Sequence, residues 1–128
     1  MGKRPTLHRA ELEVMKIIWG KGEATVRDVW EVLYRRRGLA YTSVASIMRK
    51  LEEKGFLAHR VVGRSYVYRP LVGEEEVSKG MLRDLLDRLF EGSVEKLLMA
   101  LAEVEDISEE ELDQLKRRIA EARRRGGS

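Results

Sequence analysis

Residues 41–70, YTSVASIMRKLEEKGFLAHRVVGRSYVYRP, change their hydrophobic period halfway along. Up to Lys54 the apolar residues Val44, Ile47, Met48 and Leu51 recur at helical spacing and collect on one side. Thr42, Ser46 and Arg49 fall opposite them, with Ser43, Ala45 and Lys50 on the flanks. The spacing predicts a helix from near Tyr41–Thr42 to Gly55. A glycine just past the cap makes Leu51 and Phe56 the hydrophobic partners of a Schellman stop. Leu57–Val62 then reads as a strand, Gly63-Arg64 as a turn, and Ser65–Arg69 as the returning strand, with Tyr66 and Tyr68 on one face. Pro70 closes the hairpin.

Upstream, Leu12, Met15, Ile18 and Trp19 mark a first helix that Gly20 and Gly22 end. Thr25 with Asp28 reads as a capping pair opening a second helix, whose Val26, Val29, Trp30 and Leu33 face inward. That helix closes in Arg35-Arg36-Arg37-Gly38, where basic residues suit the negative end of the dipole and glycine accepts a left-handed cap. Downstream, residues 74–90 form a long amphipathic pattern and residues 94–102 a shorter, nearly all-apolar one. Ser108 with Glu111 then makes a capping box ahead of Leu112, Leu115 and Ile119. The expected fold is mainly α with a small antiparallel β-wing.

The formal net charge of +3 over 128 residues hides a division. Residues 1–72 carry 15 Lys/Arg against 7 Asp/Glu, and residues 73–128 carry 10 against 15. A basic front half points to a polyanion partner for that half alone. There is no cysteine, which excludes disulfides, thiolate metal sites and cysteine catalysis. No apolar run approaches the roughly 18 residues of a membrane span, so a cytoplasmic location without membrane attachment is expected. Met1-Gly2 with Thr6, in a short basic arm Met1–Thr6, fits the loose myristoylation pattern, but so short a pattern arises often by chance and nothing else points to a membrane. The acidic runs sit on polar helix faces or helix N-termini, and neither a phosphate-binding glycine loop nor a Ser/His/Asp arrangement occurs. His8 reads as a cap and His59 as a wing residue, neither with a metal-ligand set. An enzyme is not expected, nor any cofactor.

Two helices, a third with a polar and basic outer face, and a basic hairpin, in that order, describe a winged helix-turn-helix holding double-stranded DNA. Small hydroxyls at Thr42, Ser43 and Ser46 permit close approach to a major groove. Arg49 and Lys50 can reach a guanine edge or a phosphate, and Ala45 can touch a thymine methyl. Arg60 and Arg64 on the hairpin are placed to meet phosphates, contacts that fix register rather than sequence. A polar outer face alone is common to surface helices; the helix-turn before it and the hairpin after it give this one its meaning.

Several segments together resemble the penicillinase-repressor family of transcriptional regulators. In the first and third helices they are Ala10-Glu11-Leu12-Glu13-Val14-Met15 through Trp19, Tyr41-Thr42-Ser43-Val44 and Leu51-Glu52-Glu53-Lys54-Gly55. Gly63-Arg64-Ser65-Tyr66-Val67-Tyr68-Arg69-Pro70, the run from Leu86 to Ser93, and Ser108-Glu109-Glu110-Glu111-Leu112 follow. The resemblance, from about Leu7 to Ile119, implies a homodimer with an N-terminal winged helix and a C-terminal helical dimerisation region, repressing genes from a pseudo-palindromic operator. It also implies DNA contacts at Thr42, Ser43, Ala45, Ser46 and Lys50. Antibiotic-responsive members are inactivated by cleavage of an Asn-Phe bond where this chain has Ala100-Leu101. Copper-responsive relatives bind metal through cysteines, which are absent here. The resemblance therefore extends to neither input.

The division expected is residues 1–72 for DNA and residues 73–128 for dimerisation. Leu82, Leu86, Leu89, Leu97, Leu98 and Leu101 exceed what a helical tail of about 50 residues can bury by itself, which argues for a twin subunit. The competing reading is a winged helix used as a protein-interaction or architectural module without operator preference. A regulator gated by a small molecule is a third.

Overall fold

A computed structural model of the chain describes residues 7–126; the basic arm and acylation pattern read at Met1–Thr6 lie outside them. The order is α1 (Arg9–Lys21), β1 (Ala24–Thr25), α2 (Val26–Arg37), α3 (Tyr41–Glu53), β2 (Leu57–Val62), β3 (Ser65–Pro70), α4 (Glu74–Phe90), α5 (Val94–Val104) and α6 (Glu109–Gly126). Among the described residues no helix is long and apolar enough to cross a membrane.

The punctuation read from sequence governs the first three helices. Gly22, not Gly20, stops α1: its N–H still reaches the Ile18 carbonyl at 2.7 Å, and its φ of 88° then turns the chain out of the helix. Thr25 and Asp28 exchange side chain-to-backbone hydrogen bonds of 3.0 and 3.1 Å at the head of α2. After α3, Phe56 N–H donates to the Leu51 carbonyl and Gly55 N–H to that of Glu52, the full Schellman pair, and Leu51 and Phe56 are both buried. The chain therefore leaves α3 at a fixed angle and enters the wing directly.

The sheet has the order β1-β3-β2 and is antiparallel throughout. Its third strand, β1, is an addition to the hairpin expected from sequence: Ala24 pairs with Tyr68 and Thr25 with Val67. Two residues are too few to show a period, which is why the strand was invisible. Val14, Met15, Ile18, Val29, Leu33, Val44, Met48 and Leu51 are wholly buried between α1, α2 and α3, and Phe56, Leu57 and Tyr68 close the core from the wing side.

Two compact units are present, the first running through Leu82 and the second from Arg83. The first extends past Val72 because α4 begins on the winged-helix core. Val77 is buried in that core, Met81 packs against it, and Lys16 pairs with Glu74 at 2.8 Å. Trp19 Nε1 donates to the Val72 carbonyl at 2.9 Å, fixing the approach to α4. In the second unit α5 and α6 bury no residue completely. Ser93 caps α5, and Ser108 and Glu111 form the capping box of α6.

Candidate nucleic-acid interface

Burial of Val44, Met48 and Leu51 fixes the rotation of α3 about its axis. Thr42, Ser43, Arg49 and Lys50 are consequently exposed, and Ala45 and Ser46 half-buried. Among the described residues Arg49 and Lys50 form no ion pair, and neither does Arg64 at the wing tip. These cations are thus available to an incoming anion without breaking an internal bond. Tyr41, at the start of α3, is held edge-on to Trp30 with ring centroids 5.8 Å apart.

Between α3 and the wing lies an open cleft of about 780 Å³. Tyr41, Ala45, Arg49 and Glu52 line it from the helix, and His59, Arg64 and Tyr66 from the wing. The structure thus brings Ala45, Arg49 and Arg64 to one concavity. Thr42, Ser43, Ser46 and Lys50 lie on α3 outside its lining.

Arg60 departs from expectation. Alternation along β2 places it on the sheet face opposite His59, and its guanidinium forks onto both oxygens of Glu23 at 2.7 and 3.1 Å. The hydrogen bonds from Arg60 hold the Glu23 carboxyl below its usual range and push the guanidinium up in turn. Arg60 is therefore a strand-to-turn tie at the edge of the sheet, away from the cleft.

Three polar pairs support the site, none of them read from sequence. Glu11 is buried, and Lys54 Nζ reaches its two carboxylate oxygens at 2.9 and 2.8 Å while His8 N–H donates to one of them. Burial raises the Glu11 carboxyl, but Lys54 and the His8 N–H outweigh it and bring the pKa below the ordinary value. The pair anchors the C-terminal end of α3 to α1. Arg37 pairs with Glu13, joining the end of α2 to α1. His59 Nδ1 lies 2.8 and 2.9 Å from the two oxygens of Glu52, joining the wing to α3. Burial, then the charge of Glu52, pushes the Tyr68 hydroxyl pKa up beside this pair. A single sequence carries no signal for contacts spanning as many as 43 positions, as Glu11–Lys54 does.

Of the leucines read as dimer-forming, Leu82, Leu89, Leu98 and Leu101 are exposed and Leu97 half-buried. Leu86, 7% exposed, is already buried within the single chain and offers no free surface. Ala100-Leu101 lies inside α5.

The profile of the penicillinase repressor family matches residues 7–121. The chain is 28% identical over 125 residues to the penicillinase repressor of Bacillus licheniformis, covering 98% of each chain. It is 34% identical over 122 residues to the transcriptional regulator BlaI of Mycobacterium tuberculosis, covering 94% of this chain and 88% of that one. Among solved structures, monomeric Bacillus licheniformis BlaI in complex with the blaP half-operator is similar. It matches with a TM-score of 0.51 and 33% identity, over 59% of this chain and 93% of that one. Family profile, full-length relatives and winged-helix architecture agree: the chain belongs to the penicillinase-repressor family.

Proposed function

We propose that this protein is a sequence-specific transcriptional repressor that binds a pseudo-palindromic operator as a homodimer, in the cytoplasm. The observation that carries the reading is the outer face of α3, exposed and basic beside a wing, on a domain similar to one solved with a half-operator. In this reading α3 enters the major groove. Thr42, Ser43, Ala45, Ser46, Arg49 and Lys50 meet base edges and nearby phosphates, and Arg64 reaches a phosphate from the wing tip. Arg60, engaged by Glu23, is set aside.

DNA binding falls within residues 1–72 and self-association within residues 73–128. Leu89, Leu98, Met99 and Val104 expose apolar surface that a twin would cover, at about 25 cal/mol per Å² removed from water. Selection of bound sites from random duplexes tests the reading. A two-fold-related consensus is expected, with affinity falling ~10³–10⁵ between 50 and 200 mM salt if about 6–10 phosphates are neutralised. No enrichment over the starting pool would favour an architectural module and overturn the operator reading.

A further inference from the structure

The wing is supported only at its base. Strand β1 pairs with Val67 and Tyr68 and goes no further, so beyond that level the hairpin is two strands wide. Val61, Val62, Gly63, Arg64, Ser65 and Tyr66 are all exposed. A two-stranded hairpin standing alone is marginally stable at best, and its tip would wander unless something tied it back. The Schellman turn fixes where the wing starts but not where its tip points.

One chain of contacts crosses that gap. Glu52 lies in the last turn of α3, three residues from Arg49, and both line the cleft. Its carboxylate can only accept, so His59 Nδ1 carries the hydrogen between them. The His59 ring stacks on Tyr66, with centroids 4.0 Å apart and planes inclined by 11°. Tyr66 is the diagonal cross-strand neighbour, two residue pairs nearer the tip and two residues from Arg64. The sequence α3, Glu52, His59, Tyr66 therefore connects the base-facing helix to the phosphate-facing tip through side chains alone.

We propose that Glu52 and His59 are positioning residues whose hydrogen bond sets the angle of the wing to α3, and thereby how sharply the protein tells its operator from other duplexes. The inference rests on the DNA-binding reading above. With the tie made, Arg64 meets its phosphate only when α3 lies in register with its bases. With the tie cut, the wing finds a phosphate on any duplex, and the helix loses the constraint that seats it. Loss of the Glu52 charge would also ease the approach of every duplex, an effect that cancels in a ratio of affinities.

The test measures affinity of the full chain for a selected duplex and for a scrambled duplex of equal length. His59→Ala should lower the ratio about tenfold, the size of one lost base contact, with no loss of affinity for the scrambled duplex. Glu52→Ala should lower the ratio by the same factor, while its lost charge strengthens binding to the scrambled duplex, and the double variant should lower the ratio no more than either alone, because both cut one link. His59→Asn, which keeps a donor near the Nδ1 position, should recover part of the ratio. Should His59→Ala lower the melting temperature, His59→Phe keeps the stack, loses the donor and should show the same tenfold fall. An unchanged ratio, an equal loss on both duplexes, or additive effects of the two substitutions would overturn the inference while leaving operator binding intact. A ratio of one for the unaltered chain would overturn both.

Discussion

The helices of the winged-helix unit bury a shared apolar core, whereas the helices from Arg83 onward leave most of their apolar side chains in water. In the first, Val14, Met15, Ile18, Val29, Leu33, Val44, Met48 and Leu51 come from three helices and meet at no exposure at all. In the second, α5 is strongly apolar yet has Val94, Leu98, Met99, Leu101 and Val104 exposed, and α6 exposes Leu112, Leu115 and Ile119. Both regions are built from amphipathic helices and each contains a capping box, at Thr25–Asp28 and at Ser108–Glu111, so the contrast is not one of local propensity. Three helices plus a hairpin enclose a core; two helices and the end of a third do not. The proposed twin subunit supplies the missing cover, and the two units then carry distinct tasks.

The sharpest way to break this contrast is to charge the open face. Leu98→Asp should turn the dimer into a monomer in sedimentation and weaken binding to a two-half-site duplex by about 10²–10⁴, the gain that linking two modest sites provides. Unaltered melting of the winged-helix signals would accompany it. Met48→Ala, at the closed core, should instead cost about 2–5 kcal/mol in urea unfolding of that unit while leaving self-association in place.

Next in size is the buried pair that seats α3. Lys54→Met strands the Glu11 carboxylate and should cost about 2–3 kcal/mol near neutral pH, less than for a fully buried pair because Lys54 is a quarter exposed. Since the folded Glu11 pKa lies below its ordinary value, the unfolded chain binds the extra proton first. The stabilisation is present above about pH 4.5 and is lost as pH falls through the lowered folded value. In Lys54→Met that lowering is lost and burial alone acts on the carboxyl, so the stability deficit should be greatest near neutral pH and shrink as pH falls, which urea unfolding at a series of pH values reads directly.

Smaller still are the surface cations. Arg49→Ala and Lys50→Ala should each reduce discrimination by about 1–3 kcal/mol where the contact is to a base, without altering the melt. Arg60→Ala should leave operator affinity nearly unchanged, because its guanidinium is engaged by Glu23 and lies away from the cleft. A loss from Arg60→Ala as large as that from Arg49→Ala would mean the wing is read from its other face.

What the sequence made legible follows from range. The Thr25–Asp28 box, the left-handed Gly38 cap and the Leu51–Phe56 stop are decided within a few residues, and each was readable. The outer face of α3 was readable too, since four apolar residues at helical spacing leave little choice of rotation. Strand β1 was not, because its two residues are a strand only by virtue of Val67 and Tyr68. The partners of Glu11 and His59 were hidden for a similar reason: a carboxylate in a helix reads the same whether it meets water or a cation from another element. Arg60 teaches a different lesson. Its charge suggested a phosphate, but its position next to His59 in an alternating strand already set it on the opposite face.

The most direct measurement is the pattern of backbone amide shifts on adding a selected duplex to the full chain. The largest changes should fall on Thr42–Lys50 and around Arg64, with α1 near Lys16 and the helices α5 and α6 left almost unmoved. Largest changes in α5 or α6, or a uniform small drift across α3, would contradict it.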